Sequence, residues 1–433
     1  MLGSASVLRR IAFASISFGA AATARANPAG TVPTAGGVFA TVDYQYEQDS
    51  STITREYLDA GTDPSAPLPT HRDFSFHQYK HTITPKVDIG ILPGLWLSAD
   101  LPIVINQARE LRLGTDVGRD TSPTVAGGLL PASGFDARDP STATTGDLMF
   151  RGPDRHGIDQ VSFGFGVAPM SQADDDTKPT WKMGADFKLA VGKVMRFDRM
   201  DPSSSTGVGS GVHELKLWTS FDRKLGWAEP WAQFFWQVPV GVNGASLFQN
   251  PGFGADNVQK GQQAGASFGL EAYAIDDGDH NRVSLELSTR VVAHFEGRDY
   301  SEMWEVFAYA GDARVDGNPL VLDSDPTSAG LQALSHPGIT NIENYIETAA
   351  RVAIRAQLGP HVRFAALGDL VWKSDHIITF ADAGIDRNGD DLINSGTAEV
   401  NPLHSDAIDM VGHRYHSIEN LGIVIGIQGE VLF

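Results

Sequence analysis

There is no cysteine in the chain. Disulfides, thiolate metal sites and a lipid-anchored N-terminal cysteine are excluded with it, and the redox compartment is left open. Basic residues are scarce. The 33 Lys and Arg against 53 Asp and Glu leave a net charge of -20 at pH 7. That argues against nucleic acid as a partner, because phosphates need Lys and Arg. Long apolar runs are missing as well. Beyond the N-terminus none reaches the roughly 18 residues of a membrane-spanning helix. The 433 residues suffice for a large core or for several domains, yet after Asn27 there is neither a helix-period domain nor a long linker.

What the sequence does contain begins with a leader. "MLGSASVLRR" is a short basic stretch, "IAFASISFGAAA" is apolar but too short to span a bilayer, and "ARA" places small residues at Ala24 and Ala26. This is the pattern of a secretory signal peptide over residues 1–26. The alternative is a buried N-terminal helix. Without the three Arg of this segment, the remainder carries 30 basic and 53 acidic residues. "NPAGTVPTAGG" follows as a flexible periplasmic segment, residues 27–36, too short for a plug domain.

From residue 37 to 433 the chain alternates. In "GVFATVDYQYEQ", Val38, Ala40, Val42, Tyr44 and Tyr46 share one face, and Thr41, Asp43, Gln45 and Glu47 the other. "TITPKVDIGIL" turns through "LPG" into "LWLSADLPIVIN". There Leu95, Leu97, Ala99, Leu101, Ile103 and Ile105 lie opposite Trp96, Ser98, Asp100 and Asn106. Segments of the same kind follow, among them "IDQVSFGFGVAPM", "TWKMGADFKLAVGKVMRF", "RVSLELSTRVVAHF" and, last, "HRYHSIENLGIVIGIQGEVLF". Period-two alternation bounded by Gly, Pro, Asn and Asp marks half-buried strands, about twelve of them.

The connections between these strands differ by parity: short after even-numbered strands, long after odd-numbered ones. A transmembrane antiparallel β-barrel predicts this, with an even strand count, short periplasmic turns and long outer loops. Its apolar face meets lipid and its mixed face lines the lumen. A soluble sandwich or propeller gives no reason for the loop asymmetry, and its strands would not set Arg282, Glu286 and Arg290 opposite Val283, Leu285 and Leu287. The leader, the alternating strands and the terminal "EVLF" resemble bacterial outer-membrane β-barrel proteins. That resemblance implies an outer-membrane location and barrel-assembly machinery that reads the final Phe433. "GILPGLWLSADLPIVI" and "FGVAPMSQADDDTKPTWKMGADFKLAVGK" are similar to outer-membrane proteins of the phenol-degradation meta-pathway type, often described as transporters. The function implied is a channel or transporter for small solutes, including hydrophobic or aromatic ones.

On this parity strands nine to eleven project Arg282, Glu286, Arg290, Glu347, Arg351, Arg355, Arg363, Asp369 and Lys373 inward. The first three project Asp43, Glu47, Lys86, Asp88 and Asp100. One wall is rich in Arg and the opposite wall leans acidic. Such a field orients ionic solutes at a constriction. The same residues also suit ladders of pairs that fill a narrow lumen, since twelve strands fall between filled eight-strand barrels and open sixteen-strand porins.

"DRNGDDLIN" sets Asp386, Asn388 and Asp390 at alternate positions, as in an EF-type Ca²⁺ loop. Asp391 stands where that loop has Gly, and Thr397 where it has a bidentate Glu. The alternative is an acidic turn. Outer loops are acidic, with seven acids in 381–411 and seven in 297–341, so divalent cations bridging them to surface glycolipid are expected. Within the second loop, "SEMWEVFAYA" is expected as a short helix folding over or into the pore. A hydrolase would draw on His404, Asp406, Asp409, His413 and His416, but no paired Ser motif accompanies them. A scaffold barrel that anchors surface loops or a periplasmic partner is the remaining class.

Overall fold

The structure, a computed structural model, describes residues 32–58, 67–278 and 281–433. The expected signal peptide lies outside the described residues. Twelve long strands form the wall: β1 Val38–Glu56, β2 Thr70–Leu92, β3 in two pieces (Leu95–Asp100 and Ile103–Leu113), β4 Gln160–Met170, β5 Thr180–Ala190 and β6 Val212–Asp222. β7 Ala228–Val242, β8 Gln263–Asp276, β9 Asn281–His294, β10 Tyr345–Leu358, β11 Val362–Lys373 and β12 Tyr415–Leu432 complete it. Each pairs antiparallel with its sequence neighbour. β12 returns to β1 in a register running from Phe39 opposite Leu432 to Arg55 opposite Tyr415. The last residue closes the seam. The Phe433 N–H donates to the Val38 carbonyl at 2.9 Å and the Val38 N–H to the Phe433 carbonyl at 3.1 Å.

The two faces of the wall separate by parity. Glu286 is 1 % exposed and the adjacent Leu287 is 54 % exposed. The same contrast divides Thr41, Asp43, Gln45 and Glu47, all buried, from Val42, and Arg351 and Arg355 from Val352 and Ile354. A soluble protein does not leave whole strand faces of Leu, Ile, Val and Phe in water. A closed barrel in lipid must present them, because only closure satisfies every backbone group there. No helix among the described residues is long and apolar enough to cross a membrane. The chain is therefore an outer-membrane β-barrel whose strands do the crossing. Both ends of the wall, at β1 and β12, lie at the rim of the short turns, the periplasmic side.

Three strands reach well past the bilayer. β1 has 19 residues, β2 has 23 and β12 has 18. At about 3.3 Å per residue β1 spans roughly 60 Å, whereas a band about 25 Å tall crossed at 45° needs roughly 35 Å. The extra length carries Thr52 and Arg72, which meet Glu419 on the outer surface, where the surroundings are water. For the same reason β1 and β2 run further than the apolar alternation indicated. β5 is shorter than "TWKMGADFKLAVGKVMRF" suggested. Beyond Ala190 the chain leaves the wall, and Val194 and Met195 are buried under the loops.

Bulges change the parity where strands leave the membrane. At Ile105 the pairing with β2 slips, so that Asn106 is exposed and Gln107, Arg109 and Leu111 turn inward. The expectation that Asn106 shares the inward face with Trp96 and Asp100 is corrected by this one inserted residue, since a single slip exchanges the faces. A second irregularity sits at Glu419, which adopts φ 54°. Above it Tyr415 and Ser417 point inward. Outside the bilayer the upper half of β3 pairs with loop strands Leu148–Arg151 and Arg155–Ile158 instead of with β4.

If this register holds, Cys introduced at Arg290, Arg351 or Arg355 reacts with a small water-soluble thiol reagent in the folded, membrane-inserted protein, and Cys at Val291 or Val352 does not. Mass spectrometry of the labelled protein reads the result directly. Labelling at the Val positions alone would mean that the faces are exchanged.

Candidate functional site

The lumen is built from three layers: charged ladders on the wall, an aromatic surface facing part of them, and a cap over the outer end. The ladders follow from cross-strand geometry, in which inward side chains of neighbouring strands stand about 5 Å apart. Arg351 grips Asp369 with two bonds, Nε to Oδ1 at 2.6 Å and Nη2 to Oδ2 at 2.5 Å. Arg290 donates to Glu347 at 2.8 Å, Arg355 to Glu286 at 2.5 Å and Arg363 to Glu430 at 3.0 Å. On the acidic wall Lys86 holds Asp88 at 2.5 Å and Lys80 holds Glu47 at 3.5 Å. Asp43 accepts from Gln45 at 2.6 Å. Each of these cations therefore meets a carboxylate on its own or an adjacent strand. The inward charges expected from the sequence lie together in one lumen, and their first partners are neighbours along the wall. Asp100 lines the space between the walls.

Sequence reasoning gave no weight to the inward aromatics. Trp96, Trp218, Trp231 and Phe235 are all buried. Each stands directly across from a glycine on the next strand: Trp96 from Gly166, Trp218 from Gly184, Trp231 from Gly269 and Phe235 from Gly265. A Cβ on any of those glycines would collide with the facing ring. The rings therefore lie back on the wall and leave the lumen open between them. The detectable signal was the pairing of an inward Gly with an inward aromatic, visible only once strand register is known. Val32 and Ala168 pack against the cluster of Trp96, Trp218 and Phe235. Thus residues 32–34 of the N-terminal segment, expected to be flexible, sit at the inner mouth, where Pro33 and Thr34 line a cavity.

Three cavities run along the axis. The innermost holds 790 Å³ and reaches the inner turns at Gln172, Ala173 and Gly226. A middle cavity of 80 Å³ shares Lys86, Trp218, Gln233 and Arg355 with it. An outer one of 120 Å³ shares Asp100, Ser162 and Lys188 with the middle one and ends against Met195 and Val208.

The cap closes the top. The loop after β9 rises through Gly297–Asp299, which pairs with Thr340–Ile342 as a short stalk. Between them the helix Trp304–Ala310 is buried along its whole length. The expectation of a short helix in this loop is thereby met, and the helix lies inside rather than over the mouth. Met303, Val306, Phe307 and Ala310 join Ile53, Phe74, Phe76, Leu111 and Tyr415 of the wall in one apolar core. Two arginines, one on the loop strand Arg155–Ile158 and one on β3, hold the helix. Arg155, fully buried, donates from Nε and Nη2 to Glu305 Oε1 at 3.2 and 2.7 Å and stands 4.8 Å from the Trp304 ring centroid. Arg109 donates to the Ser301 carbonyl at 2.9 Å. Removing one partner of such a buried pair costs about 3–5 kcal/mol, because the other charge is left desolvated.

Groups of the outer loops, outside the membrane, titrate abnormally. Burial holds His336 down to about 3 and Arg298 down to about 10, and pushes Asp409 up to about 6 against the N–H groups of Ser405 and Ala381.

The residues considered for calcium and for hydrolysis lie elsewhere on the outer surface. The Asp386 carboxylate accepts the N–H groups of Asn388, Gly389 and Asp391 at 3.1, 2.7 and 2.9 Å, and Asp390 accepts from Asn388 and Asn394 side chains. Glu399 is bound by Arg387 and Asn394. Among the described residues no three His, Asp or Glu side chains gather in a metal-binding group. His404 bonds Asp406 and the Ala381 carbonyl, His413 the Asp406 carbonyl and His416 the Glu56 carboxylate. Asp409 accepts from backbone N–H groups of Ala381 and Ser405. These rings thus meet carbonyl and carboxylate oxygens, not a nucleophilic hydroxyl.

No protein-family model matches the chain, and no curated protein does. Among solved structures it is similar to an outer membrane channel from Pseudomonas putida F1, at 9 % identity and a TM-score of 0.38 over 93 % of this chain and 97 % of that one. It is similar to the TodX monoaromatic hydrocarbon channel deltaS2 mutant at 10 % identity and 0.32 over 92 % and 91 %. The outer membrane protease OmpT from Escherichia coli matches at 8 % and 0.29 over 94 % and 99 %. At these scores the matches bring neither a solute nor a reaction to this chain.

The cap makes a pH prediction whose sign follows from His336. A free His titrates near 6.5, so below that pH the opened cap takes up a proton that the closed cap refuses. Closure is weakened as pH falls, by about 2 kcal/mol at pH 5. Asp409, in the neighbouring loop between β11 and β12, is pushed the opposite way and is the same in both proteins compared. The comparison of wild type with His336→Gln isolates the first effect. Hydrogen exchange across residues 300–340 is expected to lose protection from pH 7 to 5 in wild type relative to the variant. Parallel profiles would contradict it.

Proposed function

We propose that the barrel is a channel that admits small solutes through its lumen, closed at rest on the outer side by the Trp304–Ala310 helix and open toward the periplasm. The observation that carries this reading is the run of three cavities, each sharing lining residues with the next, from the inner turns outward to Met195 and Val208. A scaffold has no use for such a run, and side chains that merely filled the lumen would leave no space of 790 Å³. The inward rings of Trp96, Trp218, Trp231 and Phe235 favour solutes with an apolar or aromatic part. The paired ladders keep the wall rigid and wet.

The cap is the removable element. Its stalk brings Asp299 opposite Thr340, so residues 300–339 can be replaced by Gly-Gly with the stalk still joined and the strand pairing of the barrel intact. In planar bilayers the wild-type protein is expected to show rare, small conductance steps. The shortened protein should conduct steadily, at least about tenfold more, as an unobstructed barrel interior allows. Equal conductance from the two proteins would overturn the reading.

A further inference from the structure

We propose that the junction of the inner and middle cavities binds an aromatic carboxylate, with the ring on the β6–β7 wall and the carboxylate on the β9–β10 wall. The inference deepens the channel reading, on which it rests for how the ligand arrives. Its first ground is charge. The whole chain is acidic, at -20, yet the middle cavity is lined by six Lys and Arg and only four Asp and Glu. An excess of positive charge inside an acidic protein marks the place where an anion is better solvated than elsewhere on the molecule.

The second ground is unspent hydrogen-bonding capacity. The buried Trp231 Nε1, Arg290 Nε and Arg355 Nε have no acceptor among the described residues, and all three residues line the middle cavity. Arg290 and Arg355 each spend one Nη on a carboxylate of the wall; Arg290 keeps its Nε edge, and the Arg355 Nε faces Glu271 at 4.0 Å, an ion pair too long for a hydrogen bond. A buried donor without an acceptor is costly, so the site calls for oxygen atoms. A carboxylate supplies them with charge as well.

The third ground is shape. Trp218, Trp231 and Phe235 line the same cavity from the other side, laid back on their glycines. A flat ring fits against such a wall. An aliphatic acid meets the cations but not the rings, and a neutral aromatic alcohol meets the rings but offers the donors one uncharged oxygen in place of a carboxylate.

Titration calorimetry on the folded, capped protein in detergent tests this with benzoate, benzyl alcohol and hexanoate as probes. Benzoate is expected to bind at least about tenfold more tightly than either comparator, the difference of one charge-assisted bond or one ring contact. Arg290→Gln and Arg355→Gln should each weaken benzoate about tenfold and leave benzyl alcohol unchanged. Should a Gln variant fail to fold, Arg355→Lys and Trp231→Phe serve in its place, and the ranking of the three probes on wild type decides by itself. Benzyl alcohol binding as tightly as benzoate, or hexanoate doing so, would overturn the proposal. A conducting cap-deleted protein with no benzoate binding removes this site and leaves the channel. Benzoate binding in a protein that never conducts keeps the site and removes the channel.

Discussion

Hydrocarbon offers no hydrogen bond to a peptide group, so a sheet lying in it must close on itself. Here closure is made by β12 against β1, down to the pair between Phe433 and Val38. Most of what the lumen contains follows from that. With twelve strands the inward residues are brought close around a narrow axis. Large inward side chains on every strand would fill it, so large rings are set opposite glycines. Charges brought that near must be compensated, so each Arg of the β9–β11 wall has a carboxylate on an adjacent strand. Compensation is local, and a modest excess of positive charge is left in the middle.

The two ends of the barrel obey different physics. Toward the periplasm the wall is wetted by polar residues, and the cavity opens among short turns. Toward the outside, β1, β2 and β12 leave the bilayer and enclose a water-excluding core. That core resembles the inside of a soluble protein, with aromatic packing and buried Arg–Glu pairing around one short helix. A helix held by Arg155, Arg109 and an apolar core stays in place until several contacts break together. This suits a closure that opens rarely rather than a mobile flap.

The wall was legible in the sequence because alternation is a local signal. Asp43, Asp88, Glu286, Arg290, Arg351, Arg355 and Asp369 all lie on the faces their parity assigns. Asn106 shows where that logic stops, since a bulge is one residue of backbone and leaves no mark in hydropathy. The aromatic wall was not legible for a related reason. Trp218 and Gly184 lie 34 residues apart in number and are linked only by register. The cap helix was visible as a helical pattern in an acidic loop. Its depth was not, because Arg155 and Arg109 hold it through contacts distant in sequence.

The account turns on the lumen being reachable from the periplasmic side and shut from the other. Ser284 lines the inner cavity and, the chain having no cysteine, a single Cys there reports on access without interference. In proteoliposomes of one orientation, a small membrane-impermeant thiol reagent added on the periplasmic side should modify it within minutes. The same reagent added outside should leave it unmodified until residues 300–339 are removed. Equal labelling from both sides of the intact protein would contradict the account.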